Sequence, residues 1–131
     1  MIGLDTNVLV RLLVEDDDAQ VARARAFVGA AVDRGEDLYV GDVVLCELVW
    51  VLERAYRFER AAIVTALRGL RGPRHVVLAS SARVDRAIAH YAAGTGDFAD
   101  HLLHAHATDA GCDAVVTFDA ALHALPGWRA P

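Results

Sequence analysis

The sequence predicts an α/β fold, a three-layer α/β/α sandwich with a mostly parallel central sheet. Short apolar runs alternate along the chain with longer helical segments, and strands that are separated by helices favour parallel pairing. Two of the apolar runs, one at each end of the chain, close on an aspartate with a threonine beside it, Asp5 with Thr6 and Asp119 with Thr117. We expect the 131 residues to form a single domain, 1–131.

The composition is that of a folded protein, with 55% hydrophobic and 24% charged residues. No apolar run approaches the roughly 20 residues that cross a bilayer, and no basic stretch precedes an apolar one at the amino terminus. We therefore expect a cytoplasmic protein that does not associate with membranes. The formal net charge of -5 argues by itself against nucleic acid as a partner, although a metal ion bound among the acids would reduce it.

The apolar runs and the residues that stop them predict the strands. We expect strands at residues 2–5, 38–40, 75–78 and 114–119, and an edge strand near 126–128. Between these strands, apolar residues recur at the spacing of amphipathic helices. The predicted helices begin at Thr6 and in the acidic run 15–18, and continue at 43–56, 58–71, 80–93, from 97 to Gly111, and at 120–125. Thr6 or Asp5 is the expected cap of the first helix, and the acidic run suits the start of the second, where the helix dipole favours acids.

The predicted helix 43–56 is apolar on nearly all sides, including Trp50. Such a helix is buried on several faces. Two interpretations remain open: it is the central core helix of this chain, or one of its faces is covered by another protein chain. Glu47 is its only acid before Glu53, and a lone carboxylate on a mostly buried helix needs a partner or a metal ion.

Four acids are the candidate catalytic and metal-binding residues. Asp5 and Asp119 end strands, Asp100 lies in the first turn of a helix after a glycine-rich loop, and Glu47 lies early in the helix after the second strand. In a parallel α/β sheet these positions share one edge. Carboxylates suit Mg²⁺ or Mn²⁺, which activates water and stabilises an in-line phosphoryl displacement. Each acid alone also has an ordinary explanation, such as Asp97 and Asp100 forming a capping box.

The residues resemble a known family. The opening I-G-L-D-T-N-V-L, the helical Glu47, the segment D-F-A-D-H-L and V-V-T-F-D are similar to PIN domains, and more closely to the small VapC-type toxins of bacterial toxin–antitoxin pairs. The resemblance covers essentially the whole chain. It implies a PIN-like fold and a metal-dependent endoribonuclease, the toxin of a type II pair. The departures are Leu45-Cys46 before the helical acid and His101 after Asp100, where relatives often have small residues.

The resemblance also implies roles for particular residues. The catalytic and metal-binding acids would be Asp5, Glu47, Asp100 and Asp119, with Mg²⁺, or Mn²⁺, as the cofactor. Asp97 would be an accessory acid, and Asn7 and Thr117 would orient the carboxylates. The implied partners are an RNA substrate, a cognate antitoxin protein and a second copy of the chain in a homodimer.

Three histidines, His101, His104 and His106, lie close enough along one helix to suggest metal binding. Zinc sites usually show a tighter ligand set, so we favour helix packing for these residues. Two other functions were weighed. One is a catalytically silent PIN-like module that binds RNA or protein, and retention of all four acids counts against it. The other is an aspartate-nucleophile phosphatase using Asp5, which needs a second acid where this chain has Asn7.

Overall fold

The computed structural model describes residues 1–131. The chain divides into two compact units, an amino-terminal unit, Met1–Ala79, and a carboxy-terminal unit, Ser80–Pro131. Each unit combines helices with parallel strands, which confirms the predicted α/β class. None of the helices has both the length and the apolar character needed to span a bilayer. The assignment of the whole chain to one domain stays a prediction.

The amino-terminal unit contains a three-stranded parallel sheet and four helices. In chain order its elements are β1 (Ile2–Gly3), α1 (Thr6–Leu13), α2 (Asp18–Asp33), β2 (Leu38–Val40), α3 (Asp42–Arg54), α4 (Arg60–Arg71) and β3 (Val76–Leu78). The strand order is β1-β2-β3, with Ile2 opposite Leu38 and Val40 opposite Leu78. β2 is therefore central, and both of its apolar ends, Leu38 and Val40, are buried.

The carboxy-terminal unit contains a helix pair and a two-stranded parallel sheet. Its elements are α5 (Ser81–Ala92), α6 (Phe98–Asp109), β4 (Val115–Val116), a short 3₁₀ turn (Leu122–Ala124) and β5 (Trp128–Arg129). α5 and α6 pack on each other, and the rings of Tyr91 and Phe98 meet edge to face with 5.9 Å between their centroids. In β4 and β5, Val115 lies opposite Trp128 and Val116 opposite Arg129.

The predicted elements are all present, but several of their bounds were wrong. The first strand was expected to reach Asp5 and instead ends at Gly3, while β4 covers only two of the six residues predicted for it. The reason is the hydrogen-bond ladder, which is set by the neighbouring strand. Beyond each strand one further bond holds the chain extended, from Leu4 N to Tyr39 O at 2.9 Å and from Thr117 N to Arg129 O at 3.0 Å.

The acidic run after α1 forms the turn and helix start that the sequence predicts. The side chain of Asp17 accepts a hydrogen bond from Gln20 N at 3.0 Å and so caps α2. Asp16 binds Arg11 at 2.7 Å and accepts a bond from the Tyr56 hydroxyl at 2.5 Å, and this hydroxyl is the main cause of the lowered pKa of Asp16. These acids stabilise the connection between α1 and α2.

Candidate active site

Asp5 follows β1 and occupies the N-cap position of α1, so the cap is Asp5 and not Thr6. Its backbone is extended and continues the direction of β1 after the bond from Leu4 N to Tyr39 O. Its side chain is exposed and makes no capping hydrogen bond. The ordinary explanation of Asp5 as a capping side chain is therefore wrong, and both carboxylate oxygens remain open to a ligand.

Thr6 and Glu47 are joined by a hydrogen bond in the amino-terminal unit. The Thr6 hydroxyl donates to Oε2 of Glu47 at 2.7 Å, across the packing of α1 on α3. Thr6 is only 5% exposed, whereas the Glu47 side chain reaches the surface of α3. One carboxylate oxygen is thus fixed by a buried donor, and this bond holds Glu47 close to the first turn of α1.

Asp97 and Asp100 are linked at the start of α6. The backbone N–H of Asp97 donates to Oδ2 of Asp100 at 3.0 Å, an arrangement found in a capping box. Asp100 is half-buried and Asp97 is exposed. Asp97 and Asp100 therefore form the capping box that was the ordinary explanation for both acids. A further ligand of Asp100 would bind its other carboxylate oxygen.

Asp119 lies in a tight turn after β4 that is held at both ends. Its backbone N–H donates to the Thr117 hydroxyl at 3.1 Å, and its Oδ1 accepts from Ala121 N at 3.0 Å. The ring of His123 donates to the Thr117 carbonyl at 2.8 Å. Thr117 therefore fixes the backbone at Asp119 and does not bond its carboxylate directly. Asp119 itself is exposed, with one carboxylate oxygen outside the turn.

Asn7 lies on the surface in a groove between α1 and α2. The groove encloses about 560 Å³ and is also lined by Arg11, Arg23 and Phe27. Asn7 is exposed, so its predicted role in orienting a carboxylate stays a prediction. The side chain that does bond a candidate acid in this unit is Thr6, the residue before it.

The histidines of α6 have structural contacts in the carboxy-terminal unit. His101 is 4% exposed and its Nε2 donates to the Thr95 carbonyl at 2.6 Å. His104 stacks on Trp128, with ring centroids 5.4 Å apart, and hydrogen-bonds the backbone of Gly127. Burial, aided by the nearby His90 and His101, lowers the pKa of His104. Neither unit taken alone contains three or more His, Cys, Asp or Glu side chains grouped to hold a metal ion.

Comparison with known proteins places the chain in a family. The model of the PIN domain family matches residues 2–127. The chain belongs to the PIN domain family. It is also similar to a VapC ribonuclease from Aquifex aeolicus (strain VF5), with 30% identity over 115 residues, which cover 88% of this chain and 84% of the relative. The resemblance inferred from the sequence motifs is thereby confirmed.

In this PIN domain the candidate acids offer oxygen ligands only. The carboxylates of Asp5, Glu47 and Asp119 are exposed, and each unit contributes two of the four acids. Hard carboxylate oxygens are the ligands that Mg²⁺ and Mn²⁺ prefer, so the donor set fits such an ion. The metal site and the joint action of the four acids stay predictions.

Two features of the PIN domain escaped the sequence analysis. The hydrogen bond from Thr6 to Glu47 joins residues 41 positions apart. The only indication of it in the sequence is a threonine directly after a strand-end acid. The pairing of Arg129 with Val116 depends on β5, and the edge strand expected near 126–128 did not include Arg129. Both depend on long-range packing.

Proposed function

We propose that this protein is a metal-dependent endoribonuclease, the toxin component of a type II toxin–antitoxin pair. Membership of the PIN domain family and the similarity to a VapC ribonuclease support this function. The observation that weighs most is the hydrogen bond from Thr6, the residue after Asp5, to Glu47. A buried hydroxyl holds an exposed carboxylate, and the residue before that hydroxyl is an exposed acid without a capping bond; a purely structural role would not need either feature.

The proposed chemistry divides among the chain's own residues. Asp5, Glu47, Asp100 and Asp119 would hold Mg²⁺, or Mn²⁺, which supplies an activated water and charge stabilisation at the phosphate. Thr6 keeps Glu47 in one rotamer, and the turn that includes Thr117 keeps Asp119 at the end of β4. Asp97 is proposed to hold Asp100 in place through the hydrogen bond that its backbone N–H donates. Asn7 is proposed to orient a carboxylate near the start of α1.

The exposed carboxylates and the exposed apolar side chains of α3 support the proposed partners. The open carboxylates suit an arginine side chain of a cognate antitoxin, because a guanidinium pairs with carboxylates in a bidentate manner. A homodimer is supported by α3, which buries Leu45 and Leu48 while leaving Val43 72% and Trp50 56% exposed. We place the protein and its RNA substrate in the cytoplasm.

The proposal is tested by cleavage of single-stranded RNA in Mg²⁺, in Mn²⁺ and in EDTA. We expect cleavage with either metal, none in EDTA, and loss of at least about 100-fold in Asp5→Asn, Glu47→Gln and Asp119→Asn. Asp33→Asn, at the far end of α2, is the matched control and should cleave like the wild type. Cleavage in EDTA, or metal-dependent cleavage at the wild-type rate by Asp5→Asn or Asp119→Asn, would overturn it.

A further inference from the structure

Directly after β4 the carboxy-terminal unit exposes an aromatic side chain next to a candidate acid. Phe118 is 89% exposed, the highest value among the large hydrophobic residues, and Asp119 follows it directly. Val116, two residues earlier and the last residue of β4, is 55% exposed. The core does not account for a phenyl ring in this position, because burying a ring of this size normally contributes strongly to stability.

An arginine lies on the same face. Val116 is opposite Arg129 in the parallel register, and both are exposed, whereas the neighbouring pair is turned inward, with Trp128 buried and Val115 half-buried. Phe118 lies just beyond the end of β4, in the bend that leads to Asp119, and like Val116 it is exposed. The exposed side chains of the Val116–Arg129 pair and of Phe118 directly after β4, called here the β4–β5 face, therefore combine an aliphatic group, a cation and a ring.

Arg129 differs from the other arginines of its unit. Arg83 and Arg86 both bind Asp109, Arg83 at 2.9 Å, and these bonds lower the pKa of that carboxyl. Arg129 has no carboxylate partner, so its charge is available to a ligand. The backbone bond from Thr117 N to Arg129 O, at 3.0 Å, brings Arg129 near the residue that follows, Phe118. An exposed guanidinium and an exposed ring are the groups with which proteins bind single-stranded nucleic acid, by pairing with a phosphate and stacking on a base.

We propose that the β4–β5 face binds the single-stranded RNA substrate, with a base stacked on Phe118 and a phosphate paired with Arg129. The inference rests on the proposed ribonuclease function and adds a substrate-positioning surface to it. The rigid turn at Asp119, bonded to Thr117 and Ala121, fixes the ring relative to the acid that follows it. The stacked base thereby sets where the RNA backbone passes the carboxylate of Asp119. A stacking platform of this kind predicts a preference for unpaired RNA, because a base within a duplex has no free face.

The test measures binding apart from cleavage. A short fluorescein-labelled single-stranded RNA of mixed sequence, and the same strand annealed to its complement, are titrated with protein in EDTA and followed by anisotropy. We expect Phe118→Ala to weaken binding of the single strand by about five-fold to a hundred-fold, and Phe118→Tyr to restore most of it. Arg129→Gln should weaken binding and reduce the slope of log affinity against log salt by about 0.7, the value for one phosphate contact.

Two control variants each remove a similar side chain, one apolar and one cationic, outside the β4–β5 face. Leu103→Ala deletes an apolar side chain that is 55% exposed on α6, and Arg74→Gln removes an exposed arginine from the turn before β3. Both should bind the single strand as the wild type does. In cleavage assays Phe118→Ala should raise KM while kcat changes little, because the ring positions the substrate and does not touch the reacting atoms.

Three results would overturn the inference: unchanged affinity of Phe118→Ala for the single strand, an equal loss of affinity for single strand and duplex, or a change in oligomeric state of Phe118→Ala by light scattering. The last result would make the β4–β5 face a protein interface. Asp119→Asn tests the proposed function separately. A wild-type protein that binds RNA through Phe118 but does not cleave it would overturn the ribonuclease proposal and leave the binding surface standing.

Discussion

The buried hydroxyl of Thr6 donates a 2.7 Å hydrogen bond to Oε2 of the exposed Glu47, and this bond joins the first turn of α1 to the middle of α3. Thr6 is 5% exposed, so its hydroxyl has little access to water as an alternative partner. A hydrogen bond to an ionised acceptor is stronger than one between neutral groups. Glu47 is thus held in a defined orientation before any ligand binds.

The first prediction concerns this bond. Thr6→Val keeps the shape of the side chain and removes the donor, and we expect metal affinity and cleavage rate to fall by about 10- to 100-fold, as is typical when a group that orients a ligand is lost. Thr6→Ser keeps the hydroxyl and should remain within a few-fold of the wild type. The measurement is the Mg²⁺ dependence of RNA cleavage, with melting temperature as a check of folding. Equal Mg²⁺ dependence in Thr6→Val and the wild type would show that the bond only supports packing.

The second prediction separates two roles of Asp100, which accepts a bond from Asp97 N at 3.0 Å. Asp100→Asn keeps an oxygen acceptor for the cap, whereas Asp100→Ala removes it. In EDTA we expect only Asp100→Ala to melt substantially lower, by about 3–6 °C, for a cap of about 1 kcal/mol. The stabilisation that Mg²⁺ or Mn²⁺ gives the wild type, about 1.4 kcal/mol at ten times the dissociation constant, should shrink in both variants. A full metal-induced shift in Asp100→Asn would restrict Asp100 to capping.

The third prediction concerns the exposed face of α3. Trp50 is 56% exposed and the guanidinium of Arg54 lies 4.6 Å from its ring centroid. If this face joins two copies, Trp50→Glu should raise the dimer dissociation constant by about tenfold or more, because buried tryptophans contribute strongly to interfaces. Light scattering over a concentration series measures it, with Leu103→Glu as the control on α6. A wild-type protein that stays monomeric at the highest concentration would contradict the proposed homodimer.

The fourth prediction is a pH dependence of stability. Burial lowers the pKa of His104 below its ordinary value of 6.5, so the unfolded chain binds the proton more readily than the folded one. The free energy of unfolding should therefore decrease as the pH falls from about 6.5 toward the folded-state pKa of His104. Comparing urea unfolding of the wild type and His104→Gln across this range isolates the effect. Parallel curves for the two proteins would contradict it.

His104 also explains why residue 127 is glycine. Gly127 has a φ of 81°, and a Cβ added there would come 2.2 Å from Nε2 of His104. A side chain would be strained by the backbone and would displace the ring from Trp128. Gly127→Ala is accordingly expected to destabilise the carboxy-terminal unit more than Gly111→Ala, whose φ of 88° is similar but whose surroundings are open. Thermal melting compares the two variants.

The local sequence determined much of this protein. Periodicity and stop signals predicted every helix and the parallel α/β class, because an amphipathic repeat and a cap are properties of neighbouring residues. The motifs around Asp5, Glu47, Asp100 and Asp119 were sufficient to indicate the PIN family, which the comparison confirmed. Their common role at one metal site is still a prediction.

The tertiary structure decided what depends on distant partners. β1 ends at Gly3 and β4 at Val116, and only one further backbone bond to the neighbouring strand follows each of them. The apolar runs themselves do not reveal where this pairing stops. The bond from Thr6 to Glu47 and the pairing of Val116 with Arg129 each join residues far apart in the chain. Their geometry follows from the packing of whole helices and strands, which cannot be predicted from the local sequence.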